Sequence, residues 1–352
     1  MIADVYMHRC IELAKLGLGH TRTNPLVGCV IVHNHQIIGE GWHQEFGKAH
    51  AEVNAIGQVA NKALLAESTL YVNLEPCAHY GKTPPCANLI VESGIKQVVI
   101  GMQDPFLLVS GAGISKLMDA GIDVKVGILQ QECEALNKRF ITYHVKKRPY
   151  VILKWAQTSD GFIAPHRSSL ADEVYEQKRH ITGRIVQKLV HKWRSQESAI
   201  MVATNTLLAD NPALNSRAWP LGLNPLRVSI DRTGRIHPHG LTFFDGSQHS
   251  LMFTYNNGVV YPNCEVAYLD DASNEWNQIL NTLYKREVSS LIVEGGASFI
   301  QSILALGLWD EAQVFTTPIK LASGVKAPDI AGVPISSALV DNAILHLYQN
   351  VS

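Results

Sequence analysis

Two stretches decide how this chain is read: GKAHAEVNAI at 47–56 and LEPCAHYGKTPPC at 74–86. In the first, His50 stands two residues before Glu52; the second supplies Cys77 and Cys86. One imidazole and two thiolates form a soft donor set that suits zinc and leaves a fourth position for water. Hydrolysis of an aromatic C–N bond also needs a group that moves protons. Glu52 is spaced to reach that water without joining the metal shell. The turn-rich AHYGKTPP between the cysteines carries His79 and Lys82, which suit a phosphate or a base edge beside the metal. Either cysteine alone reads as an inert buried thiol; the joint pattern carries the metal reading.

Outward from these stretches the hydrophobic pattern alternates. Helices are expected at 3–16, 50–61, 85–93 and 113–119, and strands at 27–32, 70–74, 97–102 and from 122. That order predicts a helix-covered α/β sheet. HVKKRP at 144–149 combines charge with a proline after a helical stretch, so a new domain is expected there, giving one domain at 1–145 and a second at 149–352. The second part predicts strands at 150–156, 198–203, 226–231, 250–254, 265–268, 290–294, 311–317 and 344–348. Its helices are expected at 184–194, 274–286 and 298–305. Residues 160–180 are mostly polar and read as a long mobile loop.

The chain has 352 residues, 46% of them hydrophobic, with 30 basic and 31 acidic side chains. At roughly 150 residues per domain this predicts two globular units, and the near-zero charge removes the field that a nucleic-acid binder uses. No stretch approaches the roughly 20 apolar residues of a membrane span, and the first residues read as an amphipathic helix, so a cytoplasmic location is expected. Six cysteines are too few for a disulfide scaffold.

The HAE and P-C stretches partly match the H-x-E and P-C-x-x-C signature of zinc nucleobase deaminases, with eight residues between the cysteines instead of two. TNPLVGCVIV (23–32), GWHQEFGKAHAEVNAI (41–56), LEPCAHYGKTPPC and MQDP (102–105) resemble, in order and spacing, the first domain of the bifunctional riboflavin-biosynthesis family, a pyrimidine deaminase fused to a reductase. KWAQTSDG (154–161), TNTLLADNPALNSR (204–217) and IVEGGASFI (292–300) resemble its second domain. The resemblance implies a cytidine-deaminase-like α/β/α domain followed by a dihydrofolate-reductase-like α/β domain. It implies zinc on His50, Cys77 and Cys86, Glu52 as proton carrier, and Asn24, His43, His79, Lys82 and Asp104 around the diaminopyrimidine ribotide. For the reductase it implies NADPH at Gln157, His180, Thr206, Asp210, Arg232 and the run Gly296, Ala297, Ser298, Phe299, Ile300, Gln301 and Ser302. Lys154, Lys178, Arg194, Leu214, Arg217 and Glu294 match substrate positions.

The implied reaction is zinc-dependent hydrolytic deamination of 2,5-diamino-6-ribosylamino-4(3H)-pyrimidinone 5′-phosphate, then NADPH reduction of its ribose to a ribityl chain. The partner implied is that small molecule, with a homo-oligomer left open. IVEGGASFI supports the second step, since glycines after a strand let backbone N–H groups and a helix start approach a phosphate. A G-x-G-x-x-G turn after the first strand is missing, which argues against an ordinary Rossmann dehydrogenase.

Three departures stand out. Phe106 follows Asp104 and Pro105 where the family has D-P-N, the 160–180 segment is longer than usual with His180 at an aromatic position, and Arg232 replaces a small polar residue. Arg194 and Arg217 suit a fork for the ribose phosphate, Arg232 suits a 2′-phosphate, and either Lys154 or Glu294 is read as the proton source. Two other readings stay open: a nucleoside or tRNA deaminase with an unrelated tail, and a binding module with structural zinc whose fourth ligand is Cys29 or His79.

Overall fold

The computed structural model describes residues 2–79, 84–106, 110–166, 171–219 and 222–350. The chain divides into two compact units, Met1–Arg148 and Pro149–Ser352.

In the first unit, α1 (Ile2–Lys15) lays Met7, Cys10, Ile11 and Ala14 onto the sheet at helical spacing. Five strands are ordered β2-β1-β3-β4-β5. They are β1 (Gly28–His33), β2 (Gln36–Trp42), β3 (Thr69–Leu74), β4 (Gln97–Met102) and β5 (Asp123–Val126). The β2-β1-β3 pairs are antiparallel and β3-β4-β5 parallel. β2 is an addition to the expected order. Its QIIGEGW sequence holds two glycines and leaves its first residues exposed, so alternation is weak. The hairpin is set instead by Asn34 and His35, at φ 48° and 62°, the left-handed pair that a two-residue turn needs.

Glycine in β2 matters for the site. A Cβ on Gly39 would stand 2.5 Å from the Ala55 carbonyl, and one on Gly41 2.4 Å from the Ala55 nitrogen. Helix α2 (Ala51–Gln58) therefore lies backbone against backbone on this strand, fixing its first turn. Helices α3 (Cys86–Glu92), α4 (Ala112–Asp119), α5 (Gln130–Leu136) and α6 (Lys138–Lys146) complete the unit.

In the second unit, nine strands are ordered β11-β10-β9-β8-β12-β6-β13-β16-β15. They are β6 (Tyr150–Thr158), β8 (Ala199–Val202), β9 (Leu226–Asp231), β10 (Ser250–Thr254), β11 (Glu265–Tyr268), β12 (Ser290–Glu294), β13 (Glu311–Thr317), β15 (Ser336–Val340) and β16 (Ala343–Gln349). All pairs from β11 to β13 are parallel, and β16 joins antiparallel. Apolar clusters cover both sheet faces, as the continuous Val/Ile/Leu runs require of a parallel sheet. The helices are α7 (Asp172–Arg179), α8 (Arg184–Gln196), α9 (Thr204–Asp210), α10 (Glu275–Lys285) and α11 (Ala297–Ala305).

The 160–180 segment is not the irregular loop its polarity suggests. Its described residues include β7 (Phe162–Ala164), paired with β14 (Val325–Lys326), and α7. α7 buries Tyr175 and exposes Glu173, Val174, Gln177 and Lys178, which hides it from a hydrophobic-period reading.

Candidate metal centre and cofactor pocket

His50 is the N-cap of α2, in extended backbone and without a capping side-chain bond, so its ring is free to face the cysteines. Cys77 follows β3, and Cys86 opens α3. His50 Nδ1 lies 3.2 Å from Cys86 Sγ and 3.7 Å from Cys77 Sγ, and the Cys86 N–H donates to Cys77 Sγ at 3.3 Å. The three donor atoms lie within 4.8 Å of one another, and among the described residues no fourth ligand joins them. Cys29 is fully buried in β1 and His79 is exposed; neither belongs to the group. A soft N/S₂ triad with one side open fits zinc in a catalytic rather than a structural role.

The electrostatics agree. The Cys77 thiol is held well below its usual range by hydrogen bonding from Cys86 and His50, while Cys86 is pushed up by sharing with Cys77 and by burial. Two thiols this close share one proton until a cation lets both ionise. Glu52, in the first turn of α2, is 4% exposed, and burial pushes its carboxyl up. A carboxyl tuned upward beside an electrophilic site suits proton transfer near neutral pH.

The cavity above this cluster has a volume of about 620 Å³. Asn24, His43, His50, Glu52, Cys77, His79 and Asp104 all line it; Lys82 lies outside the described residues. His43 is 3% exposed, and burial lowers its pKa, so the ring is neutral. Its Nδ1 sits 3.1 Å from the Ala49 carbonyl and must carry the proton, which leaves Nε2 to accept from Asn24 Nδ2 at 3.0 Å. Asn24 is thereby oriented with Oδ1 left as an acceptor on the cavity wall. Burial raises the Asp104 carboxyl, and the Phe106 N–H donates to it at 2.9 Å.

Glu75, which the sequence reading passed over, is the buried brace of this wall. Oε2 accepts from the N–H groups of Asp104 (3.1 Å) and Gly111 (3.0 Å), and Oε1 from Gly113 (2.9 Å) and Ile114 (3.3 Å). The carboxylate ties the end of β3 to the turn after β4 and satisfies donors at the start of α4. All its partners are backbone groups at least 29 residues away, so no local sequence signal marks it.

The second unit holds a cavity of about 740 Å³ at the carboxyl ends of β6, β8 and β12. Lys154, His180, Arg194, Thr206, Asp210, Leu214, Arg232, Glu294, Gly296, Ala297, Ser298, Phe299 and Ser302 line it. Other positions suggested by resemblance lie elsewhere. Lys178 and Arg217 are exposed off the wall, Gln157 accepts from Trp155 Nε1 at 2.8 Å, Ile300 is core, and Gln301 Oε1 accepts from the Asp329 N–H at 2.8 Å.

Arg194 and Arg217 hold different partners. Arg194 donates to Glu294 from Nε (2.9 Å) and the second terminal nitrogen (2.7 Å), while Arg217 bonds Asn215 Oδ1 at 2.9 Å. A carboxylate buried in the pocket claims the guanidinium more strongly than solvent does. Lys154 Nζ stands 3.7 Å from the same carboxylate. Burial alone would raise Glu294, but Arg194 and Lys154 together hold it at about 2. Burial lowers the Lys154 ammonium. Glu294 is thus held as the anion beside the Lys154 ammonium.

Gly295 and Gly296 take φ 85° and 80° at the turn into α11, whose first residues face the cavity. Side chains there would be strained and would strike Thr206 and Ala203. The turn presents backbone N–H groups to a phosphate-bearing ligand, which fits a dinucleotide. Arg232 is already paired through two bonds with Glu275 and lies over the Phe299 ring, with its carbon 5.7 Å from the centroid. Arg179, on α7 at the cavity edge, pairs with Asp210 at 3.3 Å.

Comparison with known proteins follows this division. Residues 2–102 match the family described as the cytidine and deoxycytidylate deaminase zinc-binding region, and residues 149–340 match the RibD C-terminal domain. The riboflavin biosynthesis protein RibD of Actinobacillus pleuropneumoniae is 39% identical over 337 residues, 92% of this chain and 85% of that protein. RibD of Escherichia coli is 33% identical, covering 92% and 89%. A Thermotoga maritima crystal structure, of a diaminohydroxyphosphoribosylaminopyrimidine deaminase/5-amino-6-(5-phosphoribosylamino)uracil reductase, is 39% identical, with a TM-score of 0.88 over 99% of each chain.

Proposed function

Because this chain belongs to the RibD family of riboflavin-biosynthesis proteins, we propose how its two units divide the bifunctional deaminase and reductase activities of that family. The enzyme deaminates a phosphoribosylaminopyrimidine and then reduces its ribose; its cofactors are zinc in the first unit and NADPH in the second. No helix among the described residues is long and apolar enough to cross a membrane. The net charge of −1 offers no basic field of the kind a nucleic-acid partner calls for.

In the first unit His50, Cys77 and Cys86 hold the zinc, which when bound supplies the Lewis acidity that makes water a nucleophile near neutral pH. Glu52 is placed to take protons from an attacking water and pass one to the ring nitrogen and one to the departing amine, so that N=C–NH₂ and water would become HN–C=O and ammonia. Asn24, oriented by the neutral His43, reads the edge of the base, and Asp104 reads a second edge, with Glu75 fixing its backbone.

In the second unit the Gly295–Gly296 turn and the start of α11 receive the cofactor phosphates, and NADPH when bound supplies hydride. Lys154 donates the matching proton to the opened sugar, and Glu294, kept ionised by Arg194, holds the ammonium in place and accepts from ribose hydroxyls.

The observation that carries this reading is the buried Glu52 beside an open three-donor cluster. Glu52→Gln should retain zinc and lower ammonia release by about 10²–10⁴-fold, while NADPH oxidation with the deaminated ribotide persists. Joint loss of both activities would count against separate sites.

A further inference from the structure

The deaminase family match ends at residue 102 and the reductase match begins at 149, yet residues between them finish the first unit's cavity. Phe106, Phe140 and His144 all line it, and all three are half-buried rather than covered. The Phe106 and His144 rings meet edge to face at 5.7 Å, and His144 and Phe140 at 4.5 Å. His144 also bonds the Thr23 backbone carbonyl, tethering α6 beside Asn24. Lys147 stands just outside the cavity's lining residues, with Nζ 5.3 Å from the Phe106 centroid. Lys147 is exposed, follows the last residue of α6 at φ 54°, and has no acidic partner among the described residues.

Resting on the function proposed above, we infer that Phe106, His144 and Phe140 form a wall along which the ribosylamino arm of the substrate lies, with Lys147 receiving its 5′-phosphate. The chemistry of the substrate calls for such a feature. A phosphoribosylaminopyrimidine carries its sugar on an exocyclic amine, so the arm leaves the ring by a different edge from that of an ordinary nucleotide. A deaminase core built for cytosine nucleotides therefore needs a new wall, and in this chain the segment outside the core match supplies one. Three aromatic faces offer apolar area to the sugar at low entropic cost, and an unpaired ammonium beside Phe106 is free to meet a phosphate.

The test uses zinc-loaded full-length enzyme and measures ammonia release from the ribotide and from its dephosphorylated riboside. Lys147→Ala should raise KM for the ribotide about tenfold and leave the riboside unchanged. Phe106→Ala should raise KM for both about fivefold, with kcat little altered. Phe106→Leu, which keeps apolar bulk without the ring, separates loss of the aromatic face from misfolding. Zinc content and NADPH oxidation with the deaminated ribotide serve as controls for folding and should not move. Equal KM values for wild type and both alanine variants, or a Lys147→Ala effect of the same size on ribotide and riboside, would overturn the inference. A wild-type enzyme inactive on the ribotide would instead remove the underlying function, and the wall proposal with it.

Discussion

Replacing Arg194 by Met keeps most of the side-chain volume but strips the buried Glu294 of its two closest hydrogen bonds, at 2.9 and 2.7 Å, leaving only Lys154 at 3.7 Å. In the native protein Glu294 sits at about 2 against an ordinary 4.5. At about 1.36 kcal/mol per unit that difference amounts to about 3 kcal/mol. Loss of one partner of a buried pair typically costs about 3–5 kcal/mol, so the two lines of reasoning agree.

For a unit of this size, about 2–4 °C per kcal/mol predicts a fall in melting temperature of about 6–12 °C at pH 7. Five of the six tryptophans lie in the second unit, so tryptophan fluorescence follows its melting. The sign of the pH dependence should also invert. A depressed carboxyl contributes stability above its unfolded pKa, and that contribution is lost as pH falls from about 4.5 toward 2. Burial is already the largest single influence on Glu294, and without Arg194 less opposes it, so its carboxyl should rise and the variant's deficit should shrink as pH drops from 7 toward 5. Arg194→Met combined with Glu294→Gln should recover most of the loss, because no charge is left stranded. A single variant that melts within about 2 °C of wild type, or a double variant worse than the single, would refute the reasoning.

Three further outcomes follow from the two cavities. Lys154→Met should lower NADPH oxidation by about 10²–10⁴-fold with ammonia release intact. In the native enzyme the reductase rate should fall on the alkaline side below the ordinary lysine value of 10.5, since the ammonium is the active form and burial lowers its pKa; a rate that holds level to pH 10.5 would exclude Lys154 as the donor. Glu75→Gln keeps shape but weakens four backbone hydrogen bonds, so melting of the first unit and deaminase kcat should both drop while reductase kinetics hold, and unchanged deaminase kinetics would show that the Asp104 turn does not need the carboxylate.

Sequence by itself determined the alternation of strands and helices and the chemistry of the metal cluster. Apolar runs such as VGCVIV and QVVIGM have one stable fate in a helix-covered sheet. His50, Cys77 and Cys86 declare themselves because a soft donor set is recognisable from residue type and spacing. Tertiary structure decided what spacing cannot encode. The β2 hairpin rests on two left-handed residues rather than on hydrophobic period, and α7 hides behind its polarity. Glu75 finds its partners among distant backbone N–H groups, Arg194 pairs with a carboxylate 100 residues away, and α6 brings Phe140 and His144 to a cavity whose metal cluster was set before residue 87. The physical reason is common to all of these: local propensity and metal chemistry are written in neighbouring residues, whereas the pairing of buried charges and the closing of a pocket wall depend on which surfaces the folded chain brings together.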